Sequence, residues 1–500
     1  MHRNIARGGA VWQLVGLITR RSQVQILSPQ PKTQRVSQRW AAQRRLICVT
    51  SRPSPIFSAK DTGMRPTIAD NPRFCAIDFG TSNSAVAAAI SDPQHAGRTV
   101  VELAPLEHGA TSMPTAVFYS ADDGSRSFGR AAIASYVDGD EGRLMRSIKS
   151  ILGSDLMDES TELASGLQIR YVDVVIAYLR HIKTLGEAHW QQPIERAVIG
   201  RPVFFVDDDP RRDAKAQQTL LDAARAAGIS SVEFQFEPIA AALDYESRLQ
   251  SSDGENLVLV ADIGGGTSDF SVVRASAAAH GRVDRRADIL ANHGLHLAGT
   301  DFDRAVNLAK IMPVLGLNGS GPGARPVPSK IYFDLATWHL INTTYAPNRV
   351  IELRIMRNMY DDQHAHQRLM HVLTQHRGHE LAARAESAKI AVSESGAVSI
   401  DLEFIEPNLR LNFVEREQES ALRDDVDRIV DTARQAVRMA QLDAKEIDAV
   451  YFTGGSTGLD FMAARLAATF PAAQAVRGDR YASVVSGLAI TAQRRFAPNG

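Results

Sequence analysis

Two carboxylates sit at corresponding points of two similar patterns. Asp78 lies near the end of the apolar run that opens FCAIDFGTSNSAVAAA at Phe74, and Asp262 ends the one that opens LVLVADIGGGTSDFSVV at Leu257. Each run is β-type, each passes into a small-residue turn with Gly and Thr, and each turn leads into a second run. Glycines in such a turn let backbone N–H groups approach an anion closely, and a carboxylate delivered beside them supports Mg²⁺ through its water shell. The chemistry that fits is the holding of a metal-bound polyphosphate. Two such hairpins in one chain imply two facing lobes gripping one nucleotide.

Strands and helices must position those turns. From Arg73 onward they alternate, which favours α/β lobes. Ala197 to Phe205 reads as a buried strand broken by Pro202, and Ala214 to Gly228 as a helix stopped by Gly228. In FQFEPIAAALDYE, Pro238 stands where a helix can begin, immediately after Glu237. Val426, Ile429, Val430, Ala433, Val437 and Ala440 have helical spacing and mark an amphipathic helix leading to the strand Ala449 to Phe452. Gly316 to Ser329 is a Gly/Pro-rich loop. Beyond Gly487 a short helical tail remains.

Composition narrows the partners. Five hundred residues, 44% hydrophobic, suit a globular chain of several domains, and a net charge of −1 gives no general attraction to nucleic acid or anionic membrane. No apolar run approaches the roughly 18 residues of a membrane span. Two cysteines, Cys48 and Cys75, argue against a disulfide framework and fit a reducing compartment, hence a cytoplasmic location. Residues 1–63 differ in kind, with eleven Lys and Arg against one acidic residue, Asp61. They read either as a basic targeting arm or as a mistranslated transfer-RNA gene preceding a true start at Met64; disorder is the expected state.

In order and spacing the motifs resemble the nucleotide-binding domain of the seventy-kilodalton heat-shock (DnaK-type) chaperones, from about Phe74 to about Arg495. The short YegD-type members, which consist of this domain alone, are the nearest likeness. IDFGTSNS is similar to the first phosphate motif, SIKSILG from Ser147 to the segment with the active-site lysine, FEPIAAALDY to the connecting motif and DIGGGTSDF to the second phosphate motif. HLAGTDFD from His296, AESAKIAVS around Lys389 and TGGST from Thr453 complete the series.

The resemblance implies an actin-like ATPase fold: two ribonuclease-H-type lobes with a nucleotide cleft between them. Lobe I would span 73–255, completed by 477–500, and lobe II 256–476, with no peptide-binding domain. It implies ATP or ADP with Mg²⁺ as ligand. Gly80, Thr81, Ser82 and Asn83 would face the phosphates from one lobe, and Gly264, Gly265, Gly266 and Thr267 from the other. Asp78 and Asp262 would flank Mg²⁺. Lys149 would orient the attacking water and offset charge developing on the γ-phosphate, with Glu237, Thr267 and Asp269 placing that water. Gly299, Glu386, Lys389, Ser393, Gly454, Gly455 and Ser456 would hold the remainder of the nucleotide.

Departures from the family pattern carry meaning too. Two arginines typically sandwich the adenine ring in these chaperones; Ile390 and Gly458 stand at those positions, which puts adenine selectivity in question. Pro202 matches the family's switch proline, but Gln217 occupies the partner arginine's position. Five histidines (His364, His366, His371, His376 and His379) read as a solvated helix face, and Asp207 to Asp209 as a surface turn. The leading expectation is slow Mg²⁺-dependent ATP hydrolysis whose ATP and ADP states are read by an unidentified protein partner or client. The rivals are a pseudo-ATPase nucleotide sensor, a small-molecule kinase of the same fold class, and a filament-forming actin-like protein.

Overall fold

The computed structural model describes residues 25–26, 73–91, 99–163, 168–206, 209–247, 249, 254–279, 282, 284–479 and 482–497. Apart from Gln25 and Ile26, which pair antiparallel with Arg146 and Met145, the basic N-terminal extension lies outside the described residues, as does Cys48.

Two sheets share one plan. In the first, β1 (Phe74–Phe79), β2 (Asn83–Ser91) and β3 (Thr99–Leu103) form an antiparallel meander. Two parallel strands, β4 (Arg196–Arg201) and β5 (Ser231–Phe236), extend it beyond β1. In the second, β6 (Glu255–Ile263), β7 (Ser268–Ser276) and β8 (Ile289–Leu295) are the meander. There β9 (Ala449–Thr453) and β10 (Gln474–Arg477) add in parallel beyond β6. The sheet orders are thus β5-β4-β1-β2-β3 and β10-β9-β6-β7-β8, the same arrangement twice. Central β1 is almost wholly buried, as an interior strand of an α/β layer must be.

The helices that matter below are α1 (Gly129–Asp138), α2 (Pro210–Ala226), α3 (Glu237–Glu246), α4 (Gly299–Val306), α5 (Gly378–Ser395), α6 (Glu415–Met439) and α7 (Ser483–Phe496). α2 starts four residues before the expected Ala214. Pro210 occupies its first turn and Asp209 caps it, accepting the Arg212 N–H at 3.1 Å. Asp209 is therefore a helix cap rather than part of a simple surface turn; Asp207 and Asp208 lie outside the described residues. α6 likewise begins well before its apolar stripe, at Glu415. Gly316–Ser329 contains a small hairpin pairing Ser320–Gly321 with Arg325–Pro326.

α3 and α7 cross between the sheets. Their buried faces, with Ile239, Ala240, Val485, Leu488 and Ala489, join one core with Ala76 and Ala85 from the first sheet and Val258, Val273 and Tyr451 from the second. The approach is close: a Cβ at Gly487 would stand 1.9 Å from the Ala240 carbonyl oxygen. The tail after Gly487 is thus the greater part of a packed helix.

The histidine segment is the solvated face expected only in part: His364, His371 and His376 are exposed. His366 and His379 are buried; His366 Nε2 bonds the Leu353 carbonyl at 3.0 Å, and His376 stacks on Tyr345 at 4.3 Å. His366 and His379 thus fill apolar and aromatic niches, while exposed His376 lies over a ring. Cys75 is buried and free, its thiol pushed up to about 12 by burial.

Candidate functional site

Each meander brings its carboxylate to the same point. Asp78 is the penultimate residue of β1 and Asp262 of β6, and a tight turn follows each strand. Across the second hairpin Asp262 pairs directly with Asp269, so the two side chains emerge on one face. The two turns touch: a Cβ at Gly265 would lie 2.3 Å from Ser82 Oγ, which leaves glycine as the residue that fits there.

Lys149 reaches the same place from the first half of the chain. It stands in a single 3₁₀ turn, Ile148–Ile151, entered through Ser147 at φ +59°. That left-handed backbone in a non-glycine residue is strained, and it aims the next turn into the site. Lys149 Nζ donates to Glu237 Oε1 at 2.7 Å, with only 9% and 15% of the two side chains exposed. Glu237 is the first residue of α3, fixed by Pro238 behind it.

The cluster is rich in carboxyl groups. Burial raises Asp78 to about 7; Glu237 adds to this and Lys149 opposes it. Asp262 is raised well above the ordinary carboxylate range by burial, then by Glu237, Asp269 and Asp78, again against Lys149. Burial works against the Lys149 cation, but Glu237, Asp78 and Asp262 more than offset it and its pKa is raised. Carboxylates gathered with so little compensating charge fit a cation and its water shell. No group of three or more His, Cys, Asp or Glu side chains among the described residues is placed to hold a metal alone. Mg²⁺ brought in on phosphates, with Asp78 and Asp262 holding its waters, suits that donor set. A small pocket, about 20 Å³ in volume, opens beside the carboxylates, lined by Glu237, Asp262, Asp269, Asn292, Thr453 and Pro202 among others.

Around the second turn, three loops interlock. Gly299 and Thr300, opening α4, donate their N–H groups to the carbonyls of Gly264 (3.2 Å) and Gly265 (2.8 Å). Ser456 Oγ donates to the Gly264 carbonyl at 2.6 Å. Gly454, at φ +86°, passes so close that a Cβ there would lie 2.6 Å from Asp262 Oδ1. The Gly264 N–H bonds the Thr267 carbonyl at 2.9 Å, closing the turn, and Gly266 flanks Thr81. In the first turn, Gly80 packs against the Asn83 carbonyl.

The remaining expected residues fall into two groups. Glu386 and Ile390 are exposed on α5. Lys389 and Ser393 turn inward instead. Lys389 Nζ pairs with Asp303 Oδ1 at 2.7 Å and reaches the Gly299 carbonyl at 3.4 Å, bracing α4 from behind. The Ser393 hydroxyl donates to the Lys389 carbonyl and accepts from Gln418 Nε2 at 3.0 Å. Gly455 and Gly458 bound one 3₁₀ turn. Sequence reasoning missed Asp303, Thr300 and Gln418. The first two belong to HLAGTDFD and its neighbourhood, whereas nothing in the sequence marks Gln418.

Pro202 follows β4, where Arg201 holds the chain. Its guanidinium bonds both oxygens of Asp213 at 3.0 Å and also the Gln217 side chain. Gln217, expected as a lost switch partner, is part of that clasp.

A family model described as Hsp70 protein matches residues 74–310 and 351–493. The chain belongs to the Hsp70 family. It therefore has the actin-like ATPase fold, of which the twice-repeated sheet is the visible mark, and is an Hsp70-like ATP-binding protein. Hsp70 proteins generally bind ATP or ADP with Mg²⁺. Among the described residues no helix is long and apolar enough to cross a membrane.

Proposed function

We propose that this chain is a Mg²⁺-dependent ATPase of the short, YegD-like kind, with a nucleotide-binding domain split into lobes at about residue 255. Its ATP and ADP states would differ in lobe closure, and a protein partner would read the difference in chaperone-related work. One observation carries the reading: the Lys149–Glu237 pair, 2.7 Å apart, stands amid Asp78 and Asp262 where two glycine turns meet.

The roles follow from charge and placement. Backbone N–H groups of both turns cradle the phosphates. Mg²⁺ would offset phosphate charge, its waters held by Asp78 and Asp262. Lys149 stabilises charge developing on the γ-phosphate, while Glu237, Thr267 and Asp269 orient the water that attacks it. The attacking oxygen forms the new P–O bond as the bond to the β-phosphate oxygen breaks, giving ADP and phosphate.

A nucleotide sensor that scarcely turns over is the second reading. Ile390, 47% exposed, and Gly458 favour it, because neither supplies a planar cation for a base. Phosphate release by the full chain with ATP, with and without Mg²⁺, separates the two. Mg²⁺-dependent release supports the ATPase; tight ATP binding without release favours the sensor.

A further inference from the structure

Away from the phosphate turns, nitrogen donors gather where α3 and α7 cross. A shallow groove there is lined by Gln235, Leu243, Arg282, Thr491, Arg494 and Arg495. Gln235 lies in β5, and Leu243 lies on α3, about 9 Å along that helix from Glu237 at 1.5 Å per residue. Arg282 comes from the segment between β7 and β8, and Arg494 and Arg495 from the last turn of α7. The first sheet, a loop of the second and the helix between them all reach this groove.

The carboxylates of the region are already engaged. Buried Arg285 grips both oxygens of Glu246, at 2.8 and 2.9 Å, and also pairs with Asp288. Arg282 donates to both oxygens of Asp288, at 2.7 and 2.6 Å. Glu246 accepts the Ser276 N–H at 3.0 Å as well, and Glu233 pairs with Arg495.

Three donors stand outside this pairing. Arg494 makes no hydrogen bond or ion pair among the described residues. Burial pushes its pKa down; Glu246 opposes the shift and Arg285 adds to it. Arg495 Nε is buried with no hydrogen-bond partner among the described residues. Gln235 is only 6% exposed; its Oε1 accepts the Phe236 N–H at 2.9 Å, while its amide NH₂ has no acceptor among the described residues. Cations in a last helical turn suit the helix dipole, which accounts for their charge but not for buried donors without acceptors. Such donors are costly to bury, and all three are N–H groups. A group that satisfies them together is an acceptor, and beside the Arg494 and Arg285 cations it is an anion.

We propose that Gln235, Arg282, Arg494 and Arg495 bind a phosphate-type oxyanion, either inorganic phosphate or the phosphoryl group of a larger molecule. Guanidinium groups and an amide arriving from three elements match a tetrahedral group with several oxygens. A flat carboxylate is satisfied by a single guanidinium fork. The site stands independently of the nucleotide-binding reading, since no residue of the groove belongs to the phosphate turns or their carboxylates. An anion held there touches Gln235 of the first sheet and Arg282 of the second half at once.

The test is isothermal titration of the full chain with inorganic phosphate at constant ionic strength, repeated with Arg494→Gln and Gln235→Leu. The site predicts one phosphate per chain, with affinity lowered about 10-fold or more in each variant through loss of a charge-assisted contact. Circular dichroism establishes that each variant is folded. Arg494 is partly exposed near a helix end, so its variant reports even if Gln235→Leu fails to fold. Mg²⁺ with ADP should leave phosphate binding unchanged. Phenyl phosphate distinguishes the two sources: affinity equal to that of phosphate points to a phosphoryl group on a larger molecule, and weaker affinity to the free ion. Four results would overturn the site: no saturable binding to the folded parent, displacement by ADP, equal affinity for acetate, or undiminished binding in Arg494→Gln.

Discussion

Replacing Lys149 with alanine removes the cation that faces Glu237, Asp78 and Asp262. At 2.7 Å the bare attraction to Glu237 is about 6 kcal/mol for an effective dielectric constant near 20, and breaking a buried pair costs roughly 3–5 kcal/mol when the partner must stay charged. Asp78 and Asp262 have an escape, since burial already favours their protonated forms, so the stability loss should fall below that range. The transition state has no such escape. Charge developing on the γ-phosphate loses a positioned donor, a loss of about 2.7–4 kcal/mol, or roughly 10²–10³-fold in rate. ATP already carries its charge in the ground state and keeps the backbone donors of both turns, so affinity should change by less than about tenfold. Single-turnover hydrolysis of radiolabelled ATP, alongside calorimetric binding, reads both quantities. Equal losses in rate and affinity, or an unaltered rate, would refute this assignment of Lys149.

Other expectations follow from the same geometry. Asp262→Asn should stabilise the nucleotide-free protein by roughly 1–3 kcal/mol in a denaturant melt, since it removes a carboxyl whose ionisation burial opposes, while weakening Mg²⁺-dependent ATP binding. Asp78 has its folded pKa raised to about 7, so its contribution to stability is complete below the ordinary carboxylate range and is lost as pH rises to about 7. The nucleotide-free melting temperature should therefore fall from pH 5 to pH 8, and Asp78→Asn should flatten that slope. Gly265→Val drives a Cβ to within 2.3 Å of Ser82 Oγ and should abolish tight nucleotide binding with the circular dichroism spectrum intact; Ser82→Gly in the same chain should restore part of it. Gly487→Ala presses on the Ala240 carbonyl and should cost about 1–3 kcal/mol of stability, measured by the same denaturant melt.

Much of the site was legible because its parts are local. An apolar strand, a carboxylate and a glycine turn are contiguous in sequence, so Asp78 with Gly80 and Asp262 with Gly264–Gly266 announce themselves in pattern alone. Glu237 was legible through Pro238, which fixes a helix start. The family likeness supplied Lys149; its own neighbours carry no signal of a strained Ser147 or of burial. Helix limits were read late where a cap rather than an apolar stripe sets the start, as at Asp209. Two of the five histidines, His366 and His379, were misjudged because their niches are formed by residues distant in sequence: His379 meets Tyr136 across 243 positions. For the same reason the pairing of Lys389 with Asp303 was not foreseen. Long-range polar pairing is the part of a fold that local pattern does not encode.

The central claim is that two hairpin turns and their carboxylates grip one Mg²⁺-nucleotide. Isothermal titration of the full chain with ATP, in Mg²⁺ and again in chelator, tests it most directly. The account predicts one ATP per chain with binding strongly enhanced by Mg²⁺, and loss of that enhancement in Asp262→Asn. A folded chain that binds no nucleoside triphosphate, or binds it equally with and without Mg²⁺, would contradict it.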